Sequence, residues 1–189
     1  MKLIITRHGE TLENINGICQ GHLPGTLSEN GKLQAKKLAL RFKDEKIDAI
    51  FSSDLARSSD TAKEIAKFHP EAKLEFVYEL RECDHGSKNT GKHFSQIDWN
   101  SRDGMESRES MRVRSKKIID RAYRMYPDGF VVFVGHNGVN RALISVIMDL
   151  PEAFMARFGP FLNTSVSVFE IKENRQHLIH LLNCAKHLD

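Results

Sequence analysis

The sequence predicts an α/β fold in which helices cover both faces of a mostly parallel sheet, a three-layer α/β/α sandwich. Short β-branched runs alternate along the chain with longer segments of helical period, which is the pattern typical of that fold class. The 189 residues, 40% of them apolar and 28% charged, suffice for a sizeable core. No internal repeat, low-complexity tract or linker interrupts them. We therefore expect a single domain over residues 1–189.

The N-terminal part of the chain begins with an apolar run and continues with an amphipathic segment. Lys2–Thr6 is the first predicted strand. Apolar residues then recur at i, i+3, i+4 and i+7 within Glu29–Lys43, which predicts a helix with Ser28 as its N-cap. Ile47–Ser52 is the second predicted strand, so these elements form a strand–helix–strand unit.

The next segment adds one helix and one strand before the periodicity is lost. Helical spacing extends over Arg57–His69 and ends before a proline, and Lys73–Val77 follows as the third predicted strand. From Glu79 to Gly104 glycines punctuate a polar stretch. We expect a long functional loop there, a cap region at about residues 79–106, with a short helix at Phe94–Trp99.

The C-terminal half returns to alternating elements. One face of Ser107–Tyr126 is apolar at helical spacing, and the β-branched run Phe130–Val134 follows it. Apolar spacing then predicts a helix at Val139–Leu150 that is closed by a proline. Two final strands, Ser165–Ile171 and His177–Leu182, complete the predicted sheet.

Bulk composition narrows the classes of partner and compartment. The 28 Lys and Arg barely outnumber the 25 Asp and Glu, so net charge identifies no partner. The predicted helix Ser107–Tyr126 is basic but carries few aromatic residues, which favours a solvated face over a nucleic-acid interface. No apolar run approaches the ~18 residues of a membrane span, and the N-terminal run is too short for a signal sequence. Three cysteines without CxxC spacing favour the reducing cytoplasm.

Polar residues that follow predicted strands are the first candidates for chemistry, because ligands bind beyond the carboxyl ends of parallel strands. His8 follows the first strand, and His136 follows the strand Phe130–Val134. Each of these two histidines lies beside a glycine, which lets backbone approach a ligand closely. The alternative is that each is an ordinary surface or core histidine, as we expect for His69, His177, His180 and His187.

Arginines near the same strand ends favour an anionic ligand. Arg7 and Arg57 offer guanidinium forks that match phosphate oxygens, and Asn14 and Gln20 add neutral donors. No HxH, HExxH or acidic cluster of metal-ligand spacing is present, so we expect no metal or other cofactor. Arginine would then neutralise the charge that develops in phosphoryl transfer.

The run Arg7-His8-Gly9-Glu10-Thr11 resembles the signature of the histidine phosphatase superfamily, the phosphoglycerate mutase-like proteins. Further motifs follow in the family's order, so the resemblance extends from Lys2 to about Leu150 and is highly specific. Those motifs are Asn14, Gln20-Gly21, Leu27 to Ala35, Ser52 to Arg57, Leu80-Arg81-Glu82 and Gly135-His136-Asn137-Gly138. The resemblance is closest to the small bacterial phosphatases of the group.

The resemblance implies that His8 is a nucleophile that becomes a phosphohistidine. Its ring must be neutral, which two adjacent arginines favour, and the Gly9 carbonyl would fix its tautomer. Arg7, Arg57 and His136 would stabilise charge on the transferring group. The same resemblance places five residues at the phosphate or substrate: Gly9, Asn14, Gln20, Gly21 and Asn137.

A carboxylic acid must protonate the leaving oxygen, and three carboxylates are close in sequence. Spacing alone does not separate Glu79, Glu82 and Asp84. The family's Leu-x-Glu pattern singles out Glu82. Four cationic or titratable residues of the predicted loop are candidates for contact with an acidic or sugar-phosphate substrate, although a solvated loop accounts for them equally well: His85, Lys88, Lys92 and His93.

Three classes of function fit these residues. Only 54 positions separate Glu82 from His136 (136 minus 82), whereas the family's glycolytic mutases carry a longer insertion that encloses the substrate. A short connection predicts an open pocket that admits water, which favours hydrolysis of a small phosphorylated metabolite. A mutase and a non-catalytic phosphate-binding regulatory module are the alternatives.

Overall fold

A computed structural model describes all 189 residues and has a six-stranded central sheet. The strands are β1 (Lys2–Arg7), β2 (Ala49–Ser53), β3 (Lys73–Val77), β4 (Phe130–Gly135), β5 (Val166–Glu170) and β6 (Leu178–Cys184). Their order across the sheet is β3-β2-β4-β1-β5-β6. The first four are mutually parallel, while β5 is antiparallel to β1 and β6 is antiparallel to β5. The predicted mostly parallel sheet is confirmed.

Six α-helices connect the strands: α1 (Leu12–Ile15), α2 (Glu29–Phe42), α3 (Ala56–Ala66), α4 (Gly86–Asn89), α5 (Arg108–Met125) and α6 (Asn137–Ile147). The four longer helices match the four that apolar spacing predicted, and Ser28 caps α2 by accepting a hydrogen bond from the Gly31 N–H. The one-turn helices α1 and α4 have no buried apolar stripe, so periodicity gave no sign of them. The predicted helix Phe94–Trp99 is wrong in extent, because only a 3₁₀ turn at Phe94–Gln96 forms.

Helices pack on both faces of the sheet, as a three-layer sandwich requires. One core cluster joins α5 and α6 to the sheet face that carries Leu3, Ile5 and Phe133. The second joins α2 and α3 to the opposite face, which carries Ile4 and Val132. The alternation of Leu3, Ile4 and Ile5 between the two clusters follows from the two-residue period of a strand.

The register of the sheet decides where the polar strand ends meet. Arg7 lies opposite Gly135 in the parallel β1–β4 pair, and the His8 N–H donates to the Gly135 carbonyl over 3.0 Å. The residues after both strands therefore emerge side by side. The segment at residues 86–94 closes over this edge, where Cys19 exchanges backbone hydrogen bonds of 2.8 Å with Gly91 and Lys92.

Candidate active site

A cavity of about 380 Å³ opens at the carboxyl ends of β1, β2 and β4. Eight of the residues singled out from the sequence line it: Arg7, His8, Asn14, Gln20, Gly21, Arg57, Glu82 and Asn137. His136 is buried directly behind them, with its ring centroid 5.0 Å from that of His8. The structure thus brings the two strand-end histidines and the two arginines to one place.

His8 is held in one tautomer by its own chain. Its Nδ1 lies 2.7 Å from the Gly9 carbonyl oxygen, which can only accept, so Nδ1 carries the proton and Nε2 keeps its lone pair. Burial lowers the pKa of His8 well below its ordinary value, and the charges of Arg57 and Arg7 lower it further. The ring is therefore neutral at pH 7, and desolvation contributes more to this than the arginines do.

Arg57 links the two histidines. Its Nε donates to His8 Nε2 over 3.3 Å and to His136 Nδ1 over 3.1 Å. Its outer nitrogens donate to the carbonyls of Leu23 and Gly21, over 2.5 and 3.0 Å. Burial lowers the pKa of Arg57 to about 10, so the guanidinium stays charged at pH 7. Gly21 thus contributes its carbonyl to the placement of Arg57.

The ring of His136 has an N–H group that donates to no protein atom. Because its Nδ1 accepts from Arg57, the proton of the neutral ring lies on Nε2. That Nε2 is buried and has no hydrogen-bond partner. Burial, followed by the charge of Arg57, lowers the pKa of His136 well below its ordinary value. An unsatisfied buried N–H costs free energy, and a ligand oxygen would satisfy it.

Arg7 and Asn14 are held from behind by backbone. Arg7 Nη1 donates to the Phe161 carbonyl over 2.7 Å, while its Nε is buried without a partner. Asn14 accepts from the Thr11 N–H through its Oδ1 over 3.2 Å, as part of the capping box of α1. Its side-chain amide nitrogen, Nδ2, donates to no protein group and is free to donate in the cavity.

Glu82 is the only acidic residue in the cavity lining. Its Oε1 accepts from the N–H groups of Cys83 (2.8 Å) and Val139 (3.2 Å), and its Oε2 accepts from that of Gly138 (3.0 Å). The last two N–H groups belong to the first turn of α6, where the helix dipole favours an anion. Its two rivals lie elsewhere, because Glu79 pairs with Lys117 and Asp84 is exposed.

The remaining sequence candidates differ in how they relate to the cavity. Gln20 is buried with an unpartnered Oε1, and Asn137 uses its Oδ1 to accept from the Phe161 N–H over 2.9 Å. Gly9 does not line the cavity, contrary to its expected place at the ligand. It packs behind His8, where a Cβ would stand 2.5 Å from the Gly31 carbonyl oxygen.

Several residues that line the cavity were not among the candidates predicted from the sequence. Arg141 lies one helical turn after Asn137 on α6, so its i, i+4 spacing from that residue could have identified it. Arg102 and Arg108, with the aromatic residues Phe94 and Trp99, come from the cap region and from the start of α5. Of the four loop candidates, only His85 reaches the cavity.

No three side chains of His, Cys, Asp or Glu are grouped closely enough to hold a metal ion. None of the helices combines the length and the apolar character needed to cross a membrane.

Comparison with known proteins identifies the family. The model of the histidine phosphatase superfamily (branch 1) matches residues 3–184. The chain belongs to this superfamily. It is 34% identical to phosphoserine phosphatase 1 of Hydrogenobacter thermophilus, covering 100% of this chain and 94% of that protein. It is 31% identical to a metal-independent phosphoserine phosphatase of Arabidopsis thaliana, covering 92% and 78%. The resemblance seen in the motifs is confirmed.

Solved structures agree with this assignment. A mycobacterial glucosyl-3-phosphoglycerate phosphatase in complex with VO3 superposes with a TM-score of 0.88 at 26% identity, over 97% of this chain and 99% of that one. Bacillus stearothermophilus YhfR shares the fold with a TM-score of 0.91 at 22% identity, over 100% and 99% of the two chains. This member of the histidine phosphatase superfamily is a phosphatase, as the sequence predicted.

Proposed function

We propose that the protein hydrolyses small phosphorylated metabolites through a phosphohistidine formed on His8, without a metal cofactor. The observation that carries this proposal is the state of the His8 ring, which is neutral, fixed by the Gly9 carbonyl and equipped with a lone pair on Nε2. A nucleophile at phosphorus needs that lone pair. The names of the relatives, which are phosphatases of small phosphate esters, support the same substrate class.

In the first half-reaction the lone pair of His8 Nε2 forms a bond to phosphorus while the bond from phosphorus to the ester oxygen breaks. Glu82 supplies a proton to the departing oxygen, so the alcohol leaves neutral. Arg7, Arg57 and the Nε2–H of His136 stabilise charge on the equatorial oxygens. These groups are fixed before the substrate arrives, because backbone carbonyls hold both guanidinium groups.

In the second half-reaction water attacks the phosphohistidine. Glu82, now a carboxylate, takes one proton from the water while the water oxygen forms a bond to phosphorus. The phosphorus–nitrogen bond breaks at the same time, which regenerates neutral His8. Inorganic phosphate then leaves. We place this activity in the cytoplasm, which the three free cysteine thiols support.

The test is phosphate release from a panel of metabolite phosphates with a chelator present. We expect turnover with the chelator, together with a ³²P label that is acid-labile and base-stable after rapid quenching. His8→Ala should lose both turnover and label while remaining folded by circular dichroism. A label that survives in His8→Ala would overturn the assignment of His8 as the nucleophile. Phosphoglycerate isomerisation without phosphate release would instead establish the mutase alternative.

A further inference from the structure

We propose that Gln34 is a positioning residue for His8 and acts on it through the peptide group that joins Gly9 to Glu10. The side-chain amide of Gln34 accepts a hydrogen bond from one side of this peptide, and the other side of the peptide holds the His8 ring. The inference rests on the proposed function, because it takes His8 as the nucleophile. It adds a residue of α2 to the groups on which that nucleophile depends.

A single peptide group connects Gln34 to His8. Its carbonyl, that of Gly9, lies 2.7 Å from His8 Nδ1 and accepts the ring proton. Its N–H, that of Glu10, donates to Gln34 Oε1 over 2.9 Å, which is the only hydrogen bond that this N–H makes. The carbonyl and the N–H of one peptide lie in a common plane, so a partner on the N–H also restrains the direction of the carbonyl.

The peptide before Gly9 is held by a separate set of bonds. The Gly9 N–H donates to Thr61 Oγ1 over 3.0 Å, and the His8 carbonyl accepts from Asn163 Nδ2 over 2.9 Å. These bonds locate the backbone of His8, but rotation about the Cα–C bond of a glycine is little restricted by its own sterics. The peptide that follows Gly9 therefore needs a partner of its own, and Gln34 is that partner.

The bond to Gln34 also strengthens the carbonyl as an acceptor. Hydrogen-bonded groups in a chain polarise one another, so an acceptor on the Glu10 N–H increases the negative charge on the Gly9 oxygen. After the bond from His8 Nε2 to phosphorus has formed, Nδ1 keeps its proton and the ring carries a positive charge. The Gly9 oxygen faces that charge, so we expect the Gln34 bond to stabilise the phosphoenzyme as well as the free nucleophile.

The backbone of α2 comes close enough to this segment for the Gln34 side chain to reach it. A Cβ at Gly31 would collide with the Glu10 carbonyl, so the absence of a side chain there permits the approach. Gln34 lies three residues after Gly31 and four before Leu38, on the same side of the helix. Leu38 is buried in the core cluster that α2 forms with the sheet, so core packing sets the distance from Gln34 to the end of β1.

Asn30, also on α2, contacts Glu10 without contacting the peptide that orients His8. Its Nδ2 donates to Glu10 Oε1 over 3.2 Å, and Ser28 Oγ donates to the same oxygen over 2.8 Å. Asn30 is exposed and does not cap the helix. Asn30→Ala is therefore a matched control, because it removes one bond between α2 and Glu10 and leaves the Gly9–Glu10 peptide with its partner.

The first test is the NMR signal of the His8 Nδ1 proton at pH 7.5, identified by its disappearance in His8→Ala. Gln34→Met has a side chain of similar length but no acceptor oxygen. In this variant the Nδ1 proton should shift upfield and exchange faster with water, because its bond to the Gly9 carbonyl is weaker. The ¹⁵N shifts should still show a protonated Nδ1, since Arg57 continues to donate to Nε2. Asn30→Ala should keep the wild-type signal.

Turnover is the second test. Gln34→Met should lower kcat about tenfold for an alkyl phosphate and for p-nitrophenyl phosphate alike, because a misaimed nucleophile slows attack on phosphorus whatever the leaving group. KM should change less than about threefold, since Gln34 does not line the cavity. Gln34→Glu keeps an acceptor oxygen for the Glu10 N–H, and its kcat should stay within about threefold of the wild type.

An unchanged Nδ1 proton or an unchanged kcat in Gln34→Met would overturn this inference. Equal losses of kcat in Gln34→Met and Gln34→Glu would also overturn it, because they would assign the effect to the packing of α2. The proposed function fails in a different way. A wild type that hydrolyses no phosphate ester, but whose Nδ1 proton responds to Gln34→Met, would end the proposed function and leave the placement of the ring by Gln34 standing. Hydrolysis through a phosphohistidine with no response to Gln34→Met would do the reverse.

Discussion

Arg114 and Glu106 form a partly buried two-point ion pair, with Nε–Oε1 at 2.8 Å and Nη2–Oε2 at 2.9 Å. The same guanidinium donates to the backbone carbonyls of Glu79, Arg81 and Glu82, over 2.7, 2.6 and 3.1 Å. It therefore ties α5 to the segment that carries the proposed general acid. We therefore expect the position of the Glu82 carboxylate to depend on Arg114 through the backbone, although the Arg114 side chain does not line the cavity.

We expect Arg114→Lys to impair proton donation more than binding. Lysine keeps the charge but cannot make the same set of directed bonds, so the Glu82 segment should shift. For an alkyl phosphate kcat should fall about 10- to 100-fold, the scale expected of small misplacements. For p-nitrophenyl phosphate the loss should be smaller, because its leaving group hardly needs a proton.

The matched control for that experiment is Arg121→Lys. Arg121 lies on the same helix and pairs with Glu75 at 2.5 Å, away from the cavity. The Arg121→Lys variant should leave the ratio of kcat for the alkyl phosphate to kcat for p-nitrophenyl phosphate unchanged. Similar losses for both substrates in Arg114→Lys, with a lowered free energy of unfolding, would reduce Arg114 to a purely structural residue.

Glu82→Gln tests the acid directly. The amide is nearly isosteric but cannot transfer a proton, so we expect the fold to be retained while kcat for alkyl phosphates drops by about 10²- to 10⁴-fold. Aryl phosphates with good leaving groups should lose far less. The measurement is a plot of log kcat against leaving-group pKa, which should become steeper in the variant. An unchanged slope would contradict the role of Glu82.

Gly138→Ala should reproduce part of that effect while Glu82 itself is kept. A Cβ at Gly138 would collide with Glu82 Oε1, while the Gly138 N–H holds Oε2 at 3.0 Å. We therefore expect Glu82 to be displaced, with kcat for alkyl phosphates falling about 10- to 100-fold. Gly159→Ala is the control, because its Cβ would meet no atom within 4 Å. Full activity in Gly138→Ala would show that the collision is relieved without moving Glu82.

The sequence was sufficient to predict those parts of the site that follow from strand ends. His8 and His136 terminate neighbouring parallel strands, and the carboxyl ends of parallel strands meet at one edge whatever the loops do. Arg57 follows β2 by the same logic, as the second residue of α3. Local patterns also gave the four long helices, because each buries an apolar stripe of regular period.

The part of the cavity that the cap region lines could not be predicted from the sequence in the same way. Arg102, Phe94 and Trp99 reach it through a segment that has turns in place of a period, and that segment is positioned by distant backbone bonds such as those to Gly17 and Cys19. Such pairings join residues about 75 positions apart and leave no local signature. Arg108 and Arg141 depend on how α5 and α6 pack, which is also a long-range property.

The two histidines buried at the active site should make the stability of the protein depend on pH. His8 and His136 have folded-state pKa values well below 6.5, whereas in the unfolded chain they titrate near ~6.5. Below that pH the unfolded state binds more protons than the folded state, so the free energy of unfolding falls as the pH is lowered. Each such histidine contributes a loss of up to about 2 kcal/mol between pH 7.5 and 5.0.

Urea denaturation at pH 7.5 and 5.0 measures this loss of unfolding free energy. The proteins to compare are the wild type, His8→Gln and His93→Gln. His8→Gln removes one of the two active-site imidazoles, so its loss of stability over that range should be smaller than that of the wild type by up to about 2 kcal/mol. His93 is exposed, and its replacement should keep the wild-type loss. If His8→Gln and the wild type lose the same free energy, His8 is not held neutral in the folded state, and the nucleophile would have to be prepared in some other way.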